Sequence, residues 1–339
     1  MKTFSNLQYL YYGIATVLAA LLCVCVGSVN VPAPEVLQTI ASMFASQPAL
    51  DGVSAPIILS VRLPRVLCVA LVGAALSLCG ASMQGLLQNP LADCSTLGVS
   101  SGASLGAVIS IGFGITIPGV PLAGTMIMAM LFAFLSLVVI LSLAYKLDYS
   151  LSTNTIILIG IVFSMFANSI ISFIITFSGD KLRPITFWMM GSLAQSSYQN
   201  ALTLLLALVF FGAVLIRYAR ELDAFATGED NARNIGVDVK KVKLNVMLTV
   251  SALMGVCVSI GGTVAFVGLV IPHMTRMLSG PGHKRLLPAS MFSGAIFLML
   301  ADLLGRTALR PLELPLGVVT SLIGSVVFVY IFYTSRKVR

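Results

Sequence analysis

Residues Ser60-Val-Arg-Leu-Pro-Arg-Val-Leu-Cys-Val-Ala-Leu-Val-Gly-Ala-Ala-Leu-Ser-Leu-Cys-Gly-Ala81 carry two arginines near their start and no further charge after Arg65. A helix needs about 20 mostly apolar residues to cross the hydrocarbon core of a bilayer, and this stretch is long enough. Pro64 suits a first helical turn, where its missing N–H is not needed. Gly73-Ala-Ala75 and Gly80-Ala-Ser82 put small residues where helices of a compact bundle approach closely.

Moving the same window outward gives ten spans: 8–28, 60–81, 95–114, 120–145, 153–177, 199–219, 243–262, 264–280, 288–305 and 314–334. The third and eighth are short and rich in glycine. The composition agrees, with 58% apolar and 9% charged residues in 339, against about 45–50% and about 25% in soluble domains. The expected fold is therefore all-α, a polytopic membrane helix bundle of about ten helices, with residues 1–339 forming one transmembrane domain. The first apolar run, Leu10 to Val26, reads as the first span and not as a cleavable signal peptide.

The net charge of +8 lies in short loops between apolar runs, which argues against a nucleic-acid partner. With ten spans both termini share a side. That side receives 14 of the 20 cations, the other six being Arg62, Arg65, Lys181, Arg183, Arg306 and Arg310. The bias of Lys and Arg toward cytoplasmic loops places both termini in the cytoplasm. Residues 29–55 lack Lys and Arg, as an outer segment should. The six cysteines, Cys23, Cys25, Cys68, Cys79, Cys94 and Cys257, show no metal-ligand or disulfide spacing, so no metal site is expected. Gly73, Ser77, Gly80 and Pro90 match Gly255, Ser259, Gly262 and Pro272 at a constant offset, which suggests a weak internal repeat.

Several features carry chemistry. The cytoplasmic loop Glu221-Leu-Asp-Ala-Phe-Ala-Thr-Gly-Glu-Asp-Asn-Ala-Arg-Asn-Ile-Gly236 reads as a short capped helix. Thr227 is its candidate N-cap, Asp230 completes a capping-box pattern, Glu229 and Asp230 sit at its positive end, and Gly236 closes it. It is either an interfacial connector or a rigid element offered to a cytoplasmic partner. Arg62 and Arg65 oppose the charge bias and need compensation, from lipid headgroups or from an acidic protein surface. Arg306 is similar, with Asp302 one turn earlier as an i, i+4 partner. Asn89-Pro-Leu-Ala92 ends the second span, and Pro272-His273 ends the eighth in the same way. His283 reads as a solvated loop residue. Ser152-Thr-Asn154 is a helix cap or a polar constriction. Met83, Gln84, Asn89, Met189 and Met190 are candidates to face a substrate pathway.

There is no phosphate-binding loop and no H-E-x-x-H or G-x-S-x-G motif, so the chain should not hydrolyse ATP by itself and is not expected to be an enzyme. No acid lies at the centre of a span, which speaks against an ion-coupled secondary transporter.

Taken in order, Arg62-Leu-Pro-Arg65, Gly80-Ala-Ser-Met-Gln-Gly85, Asn89-Pro-Leu-Ala-Asp93, Leu97-Gly-Val-Ser-Ser-Gly-Ala103, Gly228-Glu-Asp-Asn-Ala-Arg233 with Gly236, Phe266-Val-Gly-Leu-Val-Ile-Pro-His273, Leu286-Leu-Pro288, Ala301-Asp302, Arg306 and Glu313-Leu-Pro-Leu-Gly317 resemble the permease subunits of type II ABC importers for iron-siderophores, haem and cobalamin (FecCD-type). The resemblance implies a multi-pass subunit of the bacterial cytoplasmic (inner) membrane, embedded in lipid. It implies pairing with a second permease copy, in a homodimer or with a close homologue, around a central pathway. Two ABC ATP-binding subunits, which bind the ATP and Mg, would dock from the cytoplasm. An extracytoplasmic substrate-binding protein would dock outside. The resemblance also assigns roles. Thr227, Gly228, Glu229, Asp230, Ala232, Arg233 and Gly236, within 221–240, become the coupling helix. Arg62, Arg65 and Arg306 receive acids of the binding protein. Ser152, Thr153 and Asn154 belong to a cytoplasmic gate. The chain departs from the family pattern at Cys94, at Gln88 and at Ser325-Val326.

Overall fold

The computed structural model describes residues 6–27, 31–32, 34–36, 38–39, 41, 54–93, 97–117, 123–149 and 151–337. Lys2, Cys94, Arg339 and most of 29–55 lie outside the described residues. Each of the ten expected spans coincides with a helix. In chain order these are α1 (Asn6–Cys25), α2 (Leu63–Leu86), α3 (Val99–Phe113), α4 (Ala123–Leu147), α5 (Thr153–Thr176), α7 (Tyr198–Arg217), α10 (Val239–Gly261), α11 (Val267–Ser279), α12 (His283–Thr307) and α13 (Leu316–Lys337). Short helices lie between them, among them α6 (Leu182–Met189), α8 (Ala219–Phe225) and α9 (Glu229–Asn234).

Among the described residues seven helices are long and apolar enough to cross a membrane. The third and eighth expected spans are real helices but partial ones. α3 has 15 residues and α11 has 13, so at 1.5 Å per residue they reach roughly 22 and 20 Å, short of the ~30 Å hydrocarbon core. The second span is longer than expected. A π-helical turn, Ile57–Arg62, runs directly into α2 and makes one apolar rod from Ile57 to Leu86. Arg62 and Arg65 therefore sit inside a helix and not at its exposed start.

Burial sorts the helices into layers. Some 83% of the α2 span and 72% of the α10 span are buried, against 22% for α5 and 28% for α4 and α7. α2 is the axial helix, packed on α12, α11, α10 and α7, and its small residues explain why. A Cβ at Gly73 would lie 2.3 Å from the carbonyl oxygen of Gly294, and one at Gly80 only 1.9 Å from that of Gly268. Backbone meets backbone at both crossings, which is how small residues hold helices together where lipid offers no hydrophobic drive. Gly80→Leu is expected to push α11 off α2 and to destabilise the fold by about 3 kcal/mol or more; a melting temperature within a degree or two of wild type would contradict that packing.

Non-helical backbone within the bundle must find partners in the protein itself. Three chain reversals do so by interlocking. Ser192 N–H donates to Gly261 O (2.9 Å), Leu316 N–H to Gly191 O (3.0 Å), Gly317 N–H to Met190 O (3.0 Å), and the Thr263 hydroxyl to Met189 O. Pro272 does not end a span, contrary to expectation, but lies inside α11. A proline within a helix frees the carbonyl four residues earlier, here that of Gly268. The Gln84 amide of α2 fills the gap, donating to Leu269 O (2.9 Å) and, more weakly, to Gly268 O (3.4 Å). Gln84→Leu is expected to leave the buried Gly268 carbonyl that Pro272 frees without a donor, at about 1–3 kcal/mol, readable as a lowered thermal midpoint in detergent.

The proposed repeat finds little support. Its offset pairs the unbroken α2 with α10, which stops at Gly261. The matched Gly80 and Gly262 also pack against different backbones, Gly268 and Gly191. Cys23, Cys68, Cys79 and Cys257 are buried and Cys25 half-buried, all as free thiols. Among the described residues no cluster of His, Cys, Asp and Glu suits a metal ion.

Candidate functional site

Two polar clusters stand at opposite ends of the bundle. At one end α1 and α12 both finish and the π-turn meets α2. Here the three arginines, expected to face outward, are turned inward. Arg62, Arg65 and Arg306 are 4%, 8% and 3% exposed. Arg62 Nη1 donates to the carbonyls of Val24 (2.8 Å) and Cys25 (2.9 Å), and Arg306 Nη2 to that of Cys23 (3.2 Å). The two cations thus cap the last carbonyls of α1, the negative end of its dipole. Asp302, 3% exposed, is the shared anion. Its Oδ1 accepts from Arg65 Nε (3.1 Å) and Nη2 (2.9 Å). Its Oδ2 lies 2.9 Å from Arg306 Nε but out of line for a hydrogen bond. Arg65 Nη1 reaches on to Glu313 Oε2 (2.8 Å), at the rim of this end. The Asp302–Arg306 pair was legible at i, i+4. The Arg65–Asp302 and Arg65–Glu313 contacts join distant parts of the chain, and no spacing signals them.

At the other end α8 and α9 form a polar knob. Phe225, Leu222 and Ala232 are fully buried and anchor it. Gly236, at φ 92°, is the closing residue. Its N–H donates to Arg233 O and that of Val237 to Ala232 O, the paired bonds of a Schellman motif. The start differs from expectation. Gly228, at φ 108° and ψ 148°, occupies the N-cap, and the Thr227 hydroxyl donates back to Ala224 O at the end of α8 (2.8 Å). The extended glycine turns Thr227 away from α9, so no capping box forms. Asp230, Asn231, Arg233, Asn234 and Ile235 are exposed. Ile235, at 70% exposure, was not singled out in the sequence, because a lone isoleucine in a loop gives no signal.

The knob is tied into the bundle at two points. Asp223 Oδ1 accepts from the backbone N–H of His283 (2.8 Å) and lies 2.7 Å from its Nδ1. His283 is thus no solvated loop residue; it is buried as the first residue of α12, and the Asp223 carboxylate sits at that helix's positive end. Glu229 Oε1 pairs with the Nζ of Lys243 at 2.6 Å and accepts from the Thr153 hydroxyl at 3.2 Å.

Residues 15–334 match the FecCD transport family. The chain belongs to the FecCD transport family. This FecCD chain is 41% identical, over 92% of its length and 89% of the relative's, to the uncharacterized ABC transporter permease YvrB of Bacillus subtilis. It is 38% identical to the cobalamin import permease BtuC of Halobacterium salinarum, over 83% of this chain and 74% of that one. A solved structure of an inward-facing metal-chelate-type ABC transporter superposes with a TM-score of 0.85 at 30% identity, covering 97% of this chain and 100% of that one. The FecCD chain is accordingly a membrane-spanning permease subunit of the ABC importer class.

Within the FecCD bundle the expected pathway residues separate. Met83 and Gln84 are buried between helices, and Gln84 is engaged by α11, so neither lines an open path in this conformation. Asn89 is half-buried at the end of α2, where its Oδ1 accepts from Leu91 N–H (2.9 Å) and holds the turn. Met189 and Met190 do border a groove, shared with Thr263, Gly317, Ser321 and Leu322. Of the seven spanning helices, α5 is 22% buried, less than any other but α1 at 17%. The exposed side of α5 carries Asn154, Asn168, Ser172 and Thr176 among Leu158, Met165 and Phe173. The Ser172 and Thr176 hydroxyls donate to carbonyls one turn earlier, so the Asn168 amide is the group least suited to lipid. Ser152, Thr153 and Asn154 open this helix. Ser152 provides no side-chain cap bond; its hydroxyl instead lies 2.9 Å from that of Thr155.

Proposed function

We propose that this FecCD chain carries a metal chelate (an iron-siderophore, haem or cobalamin) from an extracytoplasmic binding protein into the cytoplasm, through a pathway formed with a second permease copy. The copy is either identical, giving a homodimer, or a close homologue. The observation that most favours this reading is the α8–α9 knob. It is compact, capped, exposed at Asp230, Arg233 and Ile235, and tied to the starts of both α5 and α12. A loose connector needs none of this, whereas an element that takes up force needs all of it. In this reading two ABC ATP-binding subunits, holding ATP and Mg, grip the knob from the cytoplasm, and this chain binds no cofactor.

Residues 1–339 act as one transmembrane domain of the bacterial cytoplasmic membrane, with both termini on the knob side, where the lysines and arginines concentrate. The exposed face of α5 borders the pathway, and Ser152, Thr153 and Asn154 gate its cytoplasmic mouth. Arg62, Arg65 and Arg306 serve docking of the binding protein indirectly. They fix the shape of the outer rim, and Arg65 holds Glu313 there, one-third exposed, beside the exposed Leu309 and Leu312. The cobalamin permease among the relatives supports the chelate class of cargo.

The test is reconstitution of this chain with its ATP-binding subunits in lipid vesicles, with a binding protein loaded in turn with cobalamin, haem or a ferric siderophore. ATP-dependent accumulation of one of them is expected. Uptake by this chain alone, without ATP, would overturn the proposal.

A further inference from the structure

We propose that Lys243 is the positioning residue that passes movement of the knob to the gate at the start of α5. This rests on the coupling role given to α9 above and names the side chain through which that role works.

Lys243 lies one turn into α10 and is fully buried. An ammonium in that position is tolerated only if its partners are close and well placed. Two are: Glu229 Oε1, on α9, at 2.6 Å, and the carbonyl of Leu151, just before α5, at 2.9 Å. The same Glu229 oxygen accepts from the hydroxyl of Thr153, the first residue of α5, at 3.2 Å. One carboxylate oxygen and one ammonium thus join α9, α10 and α5 at a single point. The carboxylate also sits at the positive end of α5, where an anion is favoured.

The backbone on the gate side is held for this contact. Leu151 is buried yet adopts φ 53°, a left-handed conformation that a branched side chain disfavours and that persists only where its surroundings fix it. α10 grips the same turn a second time, because Lys240 Nζ stands 3.7 Å from the ring centre of Tyr149 and 4.4 Å from that of Tyr145. On the knob side Gly228 precedes Glu229 at φ 108°, a conformation glycine adopts without strain, and its N–H and carbonyl are held by Phe225 O (2.9 Å) and Ala232 N–H (3.0 Å). A displacement of α9 must therefore either carry Thr153 and Leu151 with it or break the Glu229–Lys243 pair. A pair serving stability alone would not need to include the first residue of α5.

The experiment uses the assembled complex in vesicles, with a cysteine introduced at the exposed Asn154 (Asn154→Cys) and labelled by a maleimide from the cytoplasmic side, with and without ATP and Mg. It is run with Lys243 intact, with Lys243→Met and with Thr153→Val. Methionine keeps the length and the packing, and Glu229, about one-quarter exposed, is left with access to water. The nucleotide-dependent change in labelling rate is expected to fall about tenfold in Lys243→Met, within the range of measured coupling energies, and by a smaller factor in Thr153→Val, while the ATP-binding subunits still co-purify. An undiminished nucleotide response in assembled Lys243→Met overturns the tether and leaves the coupling role of α9 standing. A response that falls only in proportion to lost assembly also overturns it, because that is what a merely structural lysine would give. No response in the assembled complex with Lys243 intact overturns the coupling role itself, and the tether with it. Should Lys243→Met fail to assemble, Thr153→Val decides, and an undiminished response there overturns the tether.

Discussion

Asp302→Ala is expected to be among the most destabilising single substitutions in this chain. It removes the one carboxylate that faces both Arg65 and Arg306, in a setting where all three residues are under 10% exposed. Arg65 would keep Glu313, and Arg306 would keep the Cys23 carbonyl, but each guanidinium would lose its nearest buried counter-charge. Breaking a buried pair from one side costs about 3–5 kcal/mol, because the remaining charge is left without solvent or partner. A folded yield in mild detergent reduced several-fold and a clearly lowered thermal midpoint are the expected results. The double change Asp302→Leu with Arg306→Met should be milder than Asp302→Ala alone, since replacing both members of a buried pair by apolar groups is often close to neutral. If Asp302→Ala melts within a degree or two of wild type, the cluster does not hold this end of the bundle together. The same measurement separates two roles for the arginines. Side chains that only met a partner's acids would alter docking and leave stability alone, whereas these should alter stability first.

Gly236→Pro is expected to uncouple ATP hydrolysis from transport. Gly236 sits at φ 92°, and proline is held near −65°, so the chain cannot turn from α9 into α10 as it does. The substitution also removes the N–H that bonds Arg233 O. α9 would lose its stop, and the exposed Asp230, Arg233 and Ile235 would shift relative to Phe225 and Ala232 beneath them. Uptake per ATP hydrolysed should fall tenfold or more, on the scale of ordinary allosteric coupling, with the bundle still folded because no span is touched. Gly236→Ala, strained only by its Cβ at about 1–2 kcal/mol, should retain part of the function. Normal uptake by an assembled Gly236→Pro complex would remove the knob from the mechanism. Charge reversal at Glu229 and at Asp230 should differ. The Asp230 side chain is 94% exposed, so Asp230→Lys perturbs the partner surface alone, whereas Glu229→Lys sets a cation against the buried Lys243 and disturbs the fold as well.

What the sequence determined follows from length and local chemistry. Bilayer thickness sets a minimum apolar run, so ten helices could be placed by window length alone, and α3 and α11 fell short only because glycine and proline patterns do not announce where a partial helix stops. The i, i+4 spacing gave Asp302–Arg306, and a glycine after a polar turn gave the close of α9, because both are contacts within one turn of chain. The cap at Thr227 failed for the opposite reason: Gly228, equally able to start a helix, took the position.

The tertiary structure alone decided the rest. Whether Arg62 and Arg65 faced a partner or the interior depended on remote partners: the end of α1, some forty residues back along the chain, beside Arg62, and Asp302 of α12 beside Arg65. Gln84 looked like a pathway residue until its amide was found against the first turn of α11, where Pro272 frees the Gly268 carbonyl. Lys243 looked like one cation among a cytoplasmic set, and His283 like a loop residue, until Glu229 and Asp223 were found against them. In each case a polar side chain was legible as a residue type but not as a role, because inside an apolar bundle its free energy is set by the one partner that folding brings within 3 Å, and that partner is remote in sequence.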